Sequence, residues 1–344
     1  MRTHYSNAAS AVLSPAPAFE PLEQRVLLSA VSPSAQEQYL LELTNRARSD
    51  PPAEAARYGI ALNEGVPASE TITGSPKQPL APNQFLTDSA RKHSEWMLVN
   101  TFGHPGKDGS MPWDRMEAAG YVFIPPSGSS ENLASYGTKP AVPDPTEATA
   151  MLHEILFVDT DYPDRGHRTN MVDPDLKELG TGIAAGVYDT FNTVMGTENF
   201  AYSAGDSFVT GVGYADTLVD DDFYTPSEGL AGLTVTATRQ SDGAEFVTTT
   251  FSAGGYALAL PSGTYDIVGT GPGLGGKVTY ADVVMGTSNI KLDFTPDLRQ
   301  LDTALVKSPH GDNKLLYERS FLSYLNHRFL LSSRCRGTLL VDMH

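Results

Sequence analysis

One cysteine, Cys335, occurs in 344 residues, so no intrachain disulfide can form and stability has to come from a packed core. Basic residues are scarce: 24 Lys and Arg stand against 41 Asp and Glu, a formal net charge of −17. A surface that follows phosphates needs clustered cations, so this balance excludes nucleic acid and argues equally against an anionic membrane surface. No apolar run approaches the roughly 20 residues that span a bilayer, so no transmembrane segment is expected. The opening "MRTHYSNAASAVLSPAPAFE" also lacks the apolar stretch of about 7–15 residues found in an ordinary signal peptide. What remains is a 40% apolar, 19% charged chain, a composition that folds and is long enough for two domains.

The pattern along the chain supports that division. "SAQE" is a capping box in which Ser34 and Glu37 each satisfy the other's backbone, opening a helix with Leu40, Leu43 and Ala47 at helical spacing. "SDPP" (49–52) stops it. A second helix is expected from Gln84 to Asn100, with Leu86, Ala90, His93 and Met97 on one face. "MPWDRMEAAG" is a short helix closed by Gly120, and "PTEATAMLHEILFVD" (145–159) is a fourth with proline in its first turn. After residue 178, "LGTGIAAGVY", "FNTVMGTENFAYS" and "SFVTGVGYAD" alternate as strands do. Helices followed by strands predict an α+β layered domain over 34–215. Residues 216–228 read as an acidic linker, and 229–296 as a small all-β sandwich with Ser-Gly and Gly-Gly turns. Residues 297–344 continue neither pattern and form a tail of unknown role.

Polar residues at the element boundaries suggest a site. His104 follows the second helix in "FGHPGKDGSMPWDR", and Glu131 lies in "SENLASYG", read as a loop. Glu154 sits inside the fourth helix and His167 in "RGHRTN". Two imidazoles and two carboxylates from four segments can make a metal or acid–base site. The plain alternative is that the histidines cap helix ends, with the glutamates as hydrogen-bond partners. Arg168 is expected to pair with Asp159 or Asp164, Asn132 and Asn170 to fix loops, and His93 to be a satisfied core histidine. In the linker, Asp216, Asp220, Asp222 and Glu228 resemble a calcium loop in imperfect register, with Leu218 at the third position and no glycine at the sixth. A solvated linker is the alternative.

Two resemblances extend this reading. "LLELTNRARSDP", "FGHPGKDGSMPWDRMEAAGY", "SENLASYG", "AMLHEILFVD" and "RGHRTNMVDPDLKELGTGIA" together resemble the CAP superfamily, the SCP or pathogenesis-related-1-like domain, in its bacterial form. The resemblance implies an α-β-α sandwich and a cleft tetrad at His104, Glu131, Glu154 and His167. It implies a divalent metal such as zinc on the two histidines, with Glu131 or Glu154 as general base if the protein is an enzyme. The β-rich part, in "SAGGYALALPSGTYDIV", resembles carboxypeptidase-regulatory-like and collagen-adhesin-B-like modules. "LEQRVLL" (22–28) resembles the Leu-Glu-Pro-Arg-x-Leu-Leu secretion motif, with Gln24 in the proline's place. Three functions follow as expectations: an exported or cell-envelope binder of a metal or an unidentified extracellular ligand or surface component, a metal-assisted hydrolase, or an adhesive surface protein.

Overall fold

A computed structural model describes residues 32–160 and 162–296, and the backbone of a strand at 338–341. The "LEQRVLL" motif, Cys335 and the rest of the tail lie outside the described residues.

Six helices and a five-stranded sheet build the first part. The helices are α1 (Ala35–Ser49), α2 (Pro51–Arg57), α3 (Gln84–Val99), α4 (Pro112–Ala119), α5 (Pro145–Val158) and α6 (Gly166–Met171). The strands are β1 (Ala81–Pro82), β2 (Gly128–Thr138), β3 (Glu178–Tyr188), β4 (Phe191–Tyr202) and, from the far end of the chain, Thr338–Val341. Their order is β1-β3-β4-β2 followed by Thr338–Val341, antiparallel except for β1 on β3.

Local chemistry sets the helix ends. The Ser34–Glu37 capping box is present, with Glu37 N donating to Ser34 Oγ and Ser34 N to Glu37 Oε2. "SDPP" ends α1 as expected, but the same residues start α2: Asp50 accepts from Ala53 N and Pro51 takes the first helical position, where its missing N–H is harmless. Gly120, at φ 107°, closes α4.

Alternation along the strands separates the two faces of the sheet. On β3, an added Cβ at Gly180 or Gly182 would sit 2.0 or 2.2 Å from the α3 backbone. Glycine at these two positions is what lets α3 lie on the sheet. Thr181, between them, donates to Glu37 O of α1 on the opposite face. The sheet is therefore covered by α1, α5 and α6 on one side and by α3 and α4 on the other. The larger core lies on the α1/α5 side, around Leu152, Leu156, Phe157 and Phe200.

Two expectations need correction. "SENLASYG" is no loop: it is part of β2, an inner strand of the sheet, paired along its whole length with β4. The motif's asparagine and serines masked a strand that the buried Leu133, Ala134 and Tyr136 make plain. "SFVTGV", grouped by sequence with 34–215, forms β5 (Ser207–Val212) and pairs with β8 (Gly255–Leu260) instead.

The remaining strands are β6 (Thr234–Arg239), β7 (Glu245–Thr249), β9 (Gly263–Thr270), β10 (Val278–Met285) and β11 (Ile290–Lys291). They form a four-stranded sheet, β10-β9-β6-β7, and a three-stranded one, β11-β5-β8. Val235, Tyr256, Ile267 and Phe294 fill the core between them.

Nor is the 216–228 segment a solvated linker. Phe223 packs edge-on against Tyr39 of α1, Arg46 lies over the Phe223 ring at 5.2 Å, and Tyr224 is buried with its hydroxyl donating to Ala35 O. Beyond it, Lys291 reaches Glu42 of α1 at 3.0 Å, and Asn289 Nδ2 donates to Pro79 O and Lys177 O. These contacts join the β-rich part to α1 and to the segments leading into β1 and β3.

Candidate functional site

Glu131 and Asn132 are neighbours on β2 and point to opposite faces of the sheet. Opposite them on β4 stand Asn199 and Glu198 in register. Two polar clusters, one on each face, grow from these four residues.

On the α3/α4 face, His104 Nδ1 donates to Glu131 Oε1 at 2.9 Å, and Arg115 of α4 donates from Nη2 to Oε2 at 2.6 Å. With its nitrogen turned to Oε2, 3.0 Å away, the Asn199 amide also accepts from Ala90 N and Ser89 Oγ, each at 3.2 Å. The Glu131 side chain is 1% exposed, whereas the His104 side chain is 23% exposed. A buried carboxylate therefore fixes a half-open imidazole. Arg115 also donates from Nη1 to His104 O and Ser110 O, each at 2.8 Å. Behind it His93 is buried on α3, stacked on Trp96, with Nε2 3.0 Å from Gly103 O. Burial beside Arg115 and His104 pushes the His93 imidazole down to about 4, so it is neutral at physiological pH, as the reading of a core histidine requires.

On the other face, Asn132 Nδ2 donates to His167 O (3.0 Å) and Glu198 Oε2 (3.1 Å), while its oxygen accepts from Asn170. These bonds fix α6 to the sheet; the asparagines, expected to fix loops, join a helix to a strand instead. His167 is itself buried and donates from Nδ1 to Asp159 Oδ1 at 2.8 Å, with its backbone N on Oδ2. Arg168 does not pair with Asp159 or Asp164. Its guanidinium donates to the carbonyls of Phe157 and Val158, in the last turn of α5 where no helix partner follows, and to those of Leu62 and Glu64 in the loop after α2. Glu198 is wholly buried with no cation, and burial pushes its carboxyl up to about 7.

The four sequence-chosen residues have different hydrogen-bond partners. His104 joins Glu131; His167 joins Asp159. Glu154 is half-buried on α5, its carboxyl raised by burial, within electrostatic reach of Tyr58. Its neighbour His153 is fully buried on Glu54, a carboxylate shared with Arg46. Among the described residues no group of three His, Cys, Asp or Glu side chains can hold a metal ion. A zinc centre with three protein ligands needs such a group, which the described residues do not supply; the expected pair of histidine ligands completed by water is a different arrangement. Both oxygens of Glu131 are engaged by donors, which suits an orienting carboxylate rather than a general base.

The calcium reading fails for a similar reason. Glu228 is buried and turned inward, accepting from Thr217 N, Leu218 N, Val219 N and Thr225 N. Asp216 accepts from Asp221 N and Asp222 N. Asp220 and Asp222 are exposed. The acidic residues cap their own loop instead of converging on a cation.

Sequence reasoning missed Arg115 and Glu198, and gave Asp159 to Arg168 rather than to His167. "MPWDRMEAAG" did place Arg115 on a helix beside the His104 segment, which was a usable signal. Nothing local marks Glu198 in "GTENFAYS" as unpaired.

Residues 41–200 match the model of the CAP, or cysteine-rich secretory protein, family. This segment is a CAP domain. It departs from the family's description in one respect, since the whole chain has a single cysteine. Among solved structures, the chain is similar to an extracellular protein containing an SCP domain from Bacillus anthracis str. Ames, at 23% identity and a TM-score of 0.27. That match covers 48% of this chain and 39% of that one. BmVAL-1 matches at 16% identity over 51% of this chain and 81% of its own, with a TM-score of 0.34. NaASP2, solved with Zn2+, matches at 16% identity over 50% and 81%, with a TM-score of 0.30. No curated protein matches the chain. Among the described residues no helix is long and apolar enough to cross a membrane.

Proposed function

We propose that this chain is an exported bacterial protein whose CAP domain binds an extracellular ligand at the surface around His104, without turning it over and without a resident metal. The observation that carries this reading is the mount of His104. Its ring is half-open to solvent while its carboxylate partner is buried and held by an arginine and an amide. Such a mount fixes the direction of one imidazole, which favours recognition, because little rotamer freedom remains to be lost on binding. It leaves Glu131 buried and engaged by donors on both oxygens, poorly reached by water, which weighs against its use as the base of a hydrolase. Export is supported by the secretory description of the family and by the "LEQRVLL" motif.

The test is capture by the immobilised full chain and by His104→Ala from culture supernatant, with retained molecules identified by mass spectrometry. A molecule held by the wild type and lost by the variant is the expected result. The same retained set on both proteins would sink the reading. So would stoichiometric Zn2+ binding in calorimetry that disappears in the His104→Ala/His167→Ala double variant, or turnover of chromogenic esters or glycosides that depends on Glu131.

A further inference from the structure

We infer that His93 is a positioning residue for His104: its imidazole clamps the Gly103 carbonyl and so sets the backbone from which the presented histidine projects. The inference rests on reading His104 as the presented group, but its test needs no ligand.

The segment from Asn100 to Ser110 has little regular structure of its own. Gly103 adopts φ +154°, a region in which glycine turns freely and which gives the chain no intrinsic stiffness. External anchors must therefore fix it, and three hold the backbone at and on either side of Gly103. Phe102 N donates to the Tyr188 hydroxyl, His93 Nε2 holds Gly103 O, and Arg115 holds His104 O. The His93 anchor comes from α3, the most firmly seated helix on this face, because Gly180 and Gly182 let it lie directly on the sheet.

Hydrogen-bond logic fixes the His93 tautomer. A carbonyl only accepts, so Nε2 carries the hydrogen and Nδ1 is a bare acceptor. That Nδ1 is buried without a partner. An unsatisfied buried acceptor is destabilising, and a leucine or phenylalanine on this face of α3 would avoid it. The one contact an apolar residue cannot supply is the bond to Gly103 O, one residue before His104. Packing alone therefore does not account for a histidine here; the clamp does.

The experiment follows the ring Nδ1–H of His104 by NMR in the 15N-labelled full chain, assigned by its loss in His104→Gln. This proton reports directly on the bond to Glu131. In the wild type it is expected as a downfield, slowly exchanging resonance. His93→Gln places an amide nitrogen where Nε2 was and should keep the resonance. His93→Asn is one methylene shorter and His93→Phe has no donor; both should lose it to exchange while circular dichroism still shows a folded chain. Retention of the resonance in His93→Asn would overturn the inference. Equal behaviour of the Gln and Asn variants would do so too, including failure of both to fold, since His93 would then serve packing alone. If only His93→Phe unfolds, the Gln–Asn pair still decides.

Discussion

Replacing Glu198 with glutamine should stabilise the protein at alkaline pH and leave it unchanged in acid. Glu198 is fully buried, and its partners are neutral: Thr44 Oγ lies 2.7 Å from Oε1 and Asn132 Nδ2 3.1 Å from Oε2. Thr44 Oγ is also 2.9 Å from Leu40 O, yet a hydroxyl has a single hydrogen. If that hydrogen goes to Leu40 O, the Glu198–Thr44 contact is satisfied only when the carboxyl itself carries a proton and donates it. The geometry thus agrees with the rise of this group from 4.5 to about 7 on burial. The sign follows from the direction of the shift. The folded chain holds the proton more tightly than the unfolded one, so stability is fullest below about pH 4.5 and declines as pH climbs toward 7. Above that it levels off with a penalty of about 3 kcal/mol, at 1.36 kcal/mol per unit of pKa. Glutamine donates to Thr44 Oγ from its nitrogen and accepts from Asn132 with its oxygen, so all four polar atoms stay paired. Guanidinium unfolding of the full chain at pH 5 and pH 8 separates the outcomes. Glu198→Gln should exceed the wild type by no more than about 1 kcal/mol at pH 5 and by up to about 3 kcal/mol at pH 8. Other raised carboxyls, Glu42 and Glu178 among them, are common to both proteins and cancel in the comparison. A variant less stable than the wild type at pH 8, or an equal difference at both pH values, would refute the reasoning.

Two further outcomes follow from the packing. Glu228→Ala removes the acceptor for four backbone N–H groups and should destabilise the chain by about 2–4 kcal/mol, while millimolar Ca2+ leaves the wild-type melting temperature unchanged; a rise reversed by chelation would restore the calcium loop. A fragment ending at residue 215 strips Phe223, Tyr224, Asn289 and Lys291 from α1 and its surroundings and leaves β5 without β8. It should melt at least ~10 °C below the full chain or lose cooperativity, and melting within ~3 °C of the full chain by calorimetry would show that the two parts fold independently.

The sequence was most legible where local chemistry decides structure. The Ser34–Glu37 box, the proline-led α5 and the Gly120 stop are governed by hydrogen bonds within a few residues, and each stands where the pattern puts it. The ordered motifs marked the CAP domain for the same reason. Pairings between distant segments were opaque. Whether "SFVTGV" joins the first sheet or the second depends on which edge is open to it, and its alternation is the same either way. The acidic run at 216–228 looked solvated because charge dominates its composition, but Phe223 and Tyr224 carry the packing and the carboxylates fold back on their own backbone. Within the site, residue types were chosen well and their partnerships less so. His167 found Asp159, eight residues upstream across a turn, in place of a glutamate from another segment.

The alternation of β2 explains why the two histidines end in separate environments. Consecutive residues on a strand face opposite ways, so the adjacent pair Glu131-Asn132 serves both layers of the domain at once. Glu131 anchors the His104 segment under α3 and α4, and Asn132 anchors the α6 backbone at His167 on the side of α1 and α5. Their register partners on β4 complete the arrangement, with Asn199 steadying Glu131 and Glu198 receiving Asn132. A slip of one residue in the β2–β4 pairing would turn the carboxylate toward α6 and the amide toward Arg115, undoing both anchors together. The same strand that makes "GHRTN" a fixed corner therefore also makes "FGHPG" one, and it does so by keeping their polar partners on opposite sides of the sheet. A ligand read by His104 alone requires only that Glu131 stay where β2 holds it.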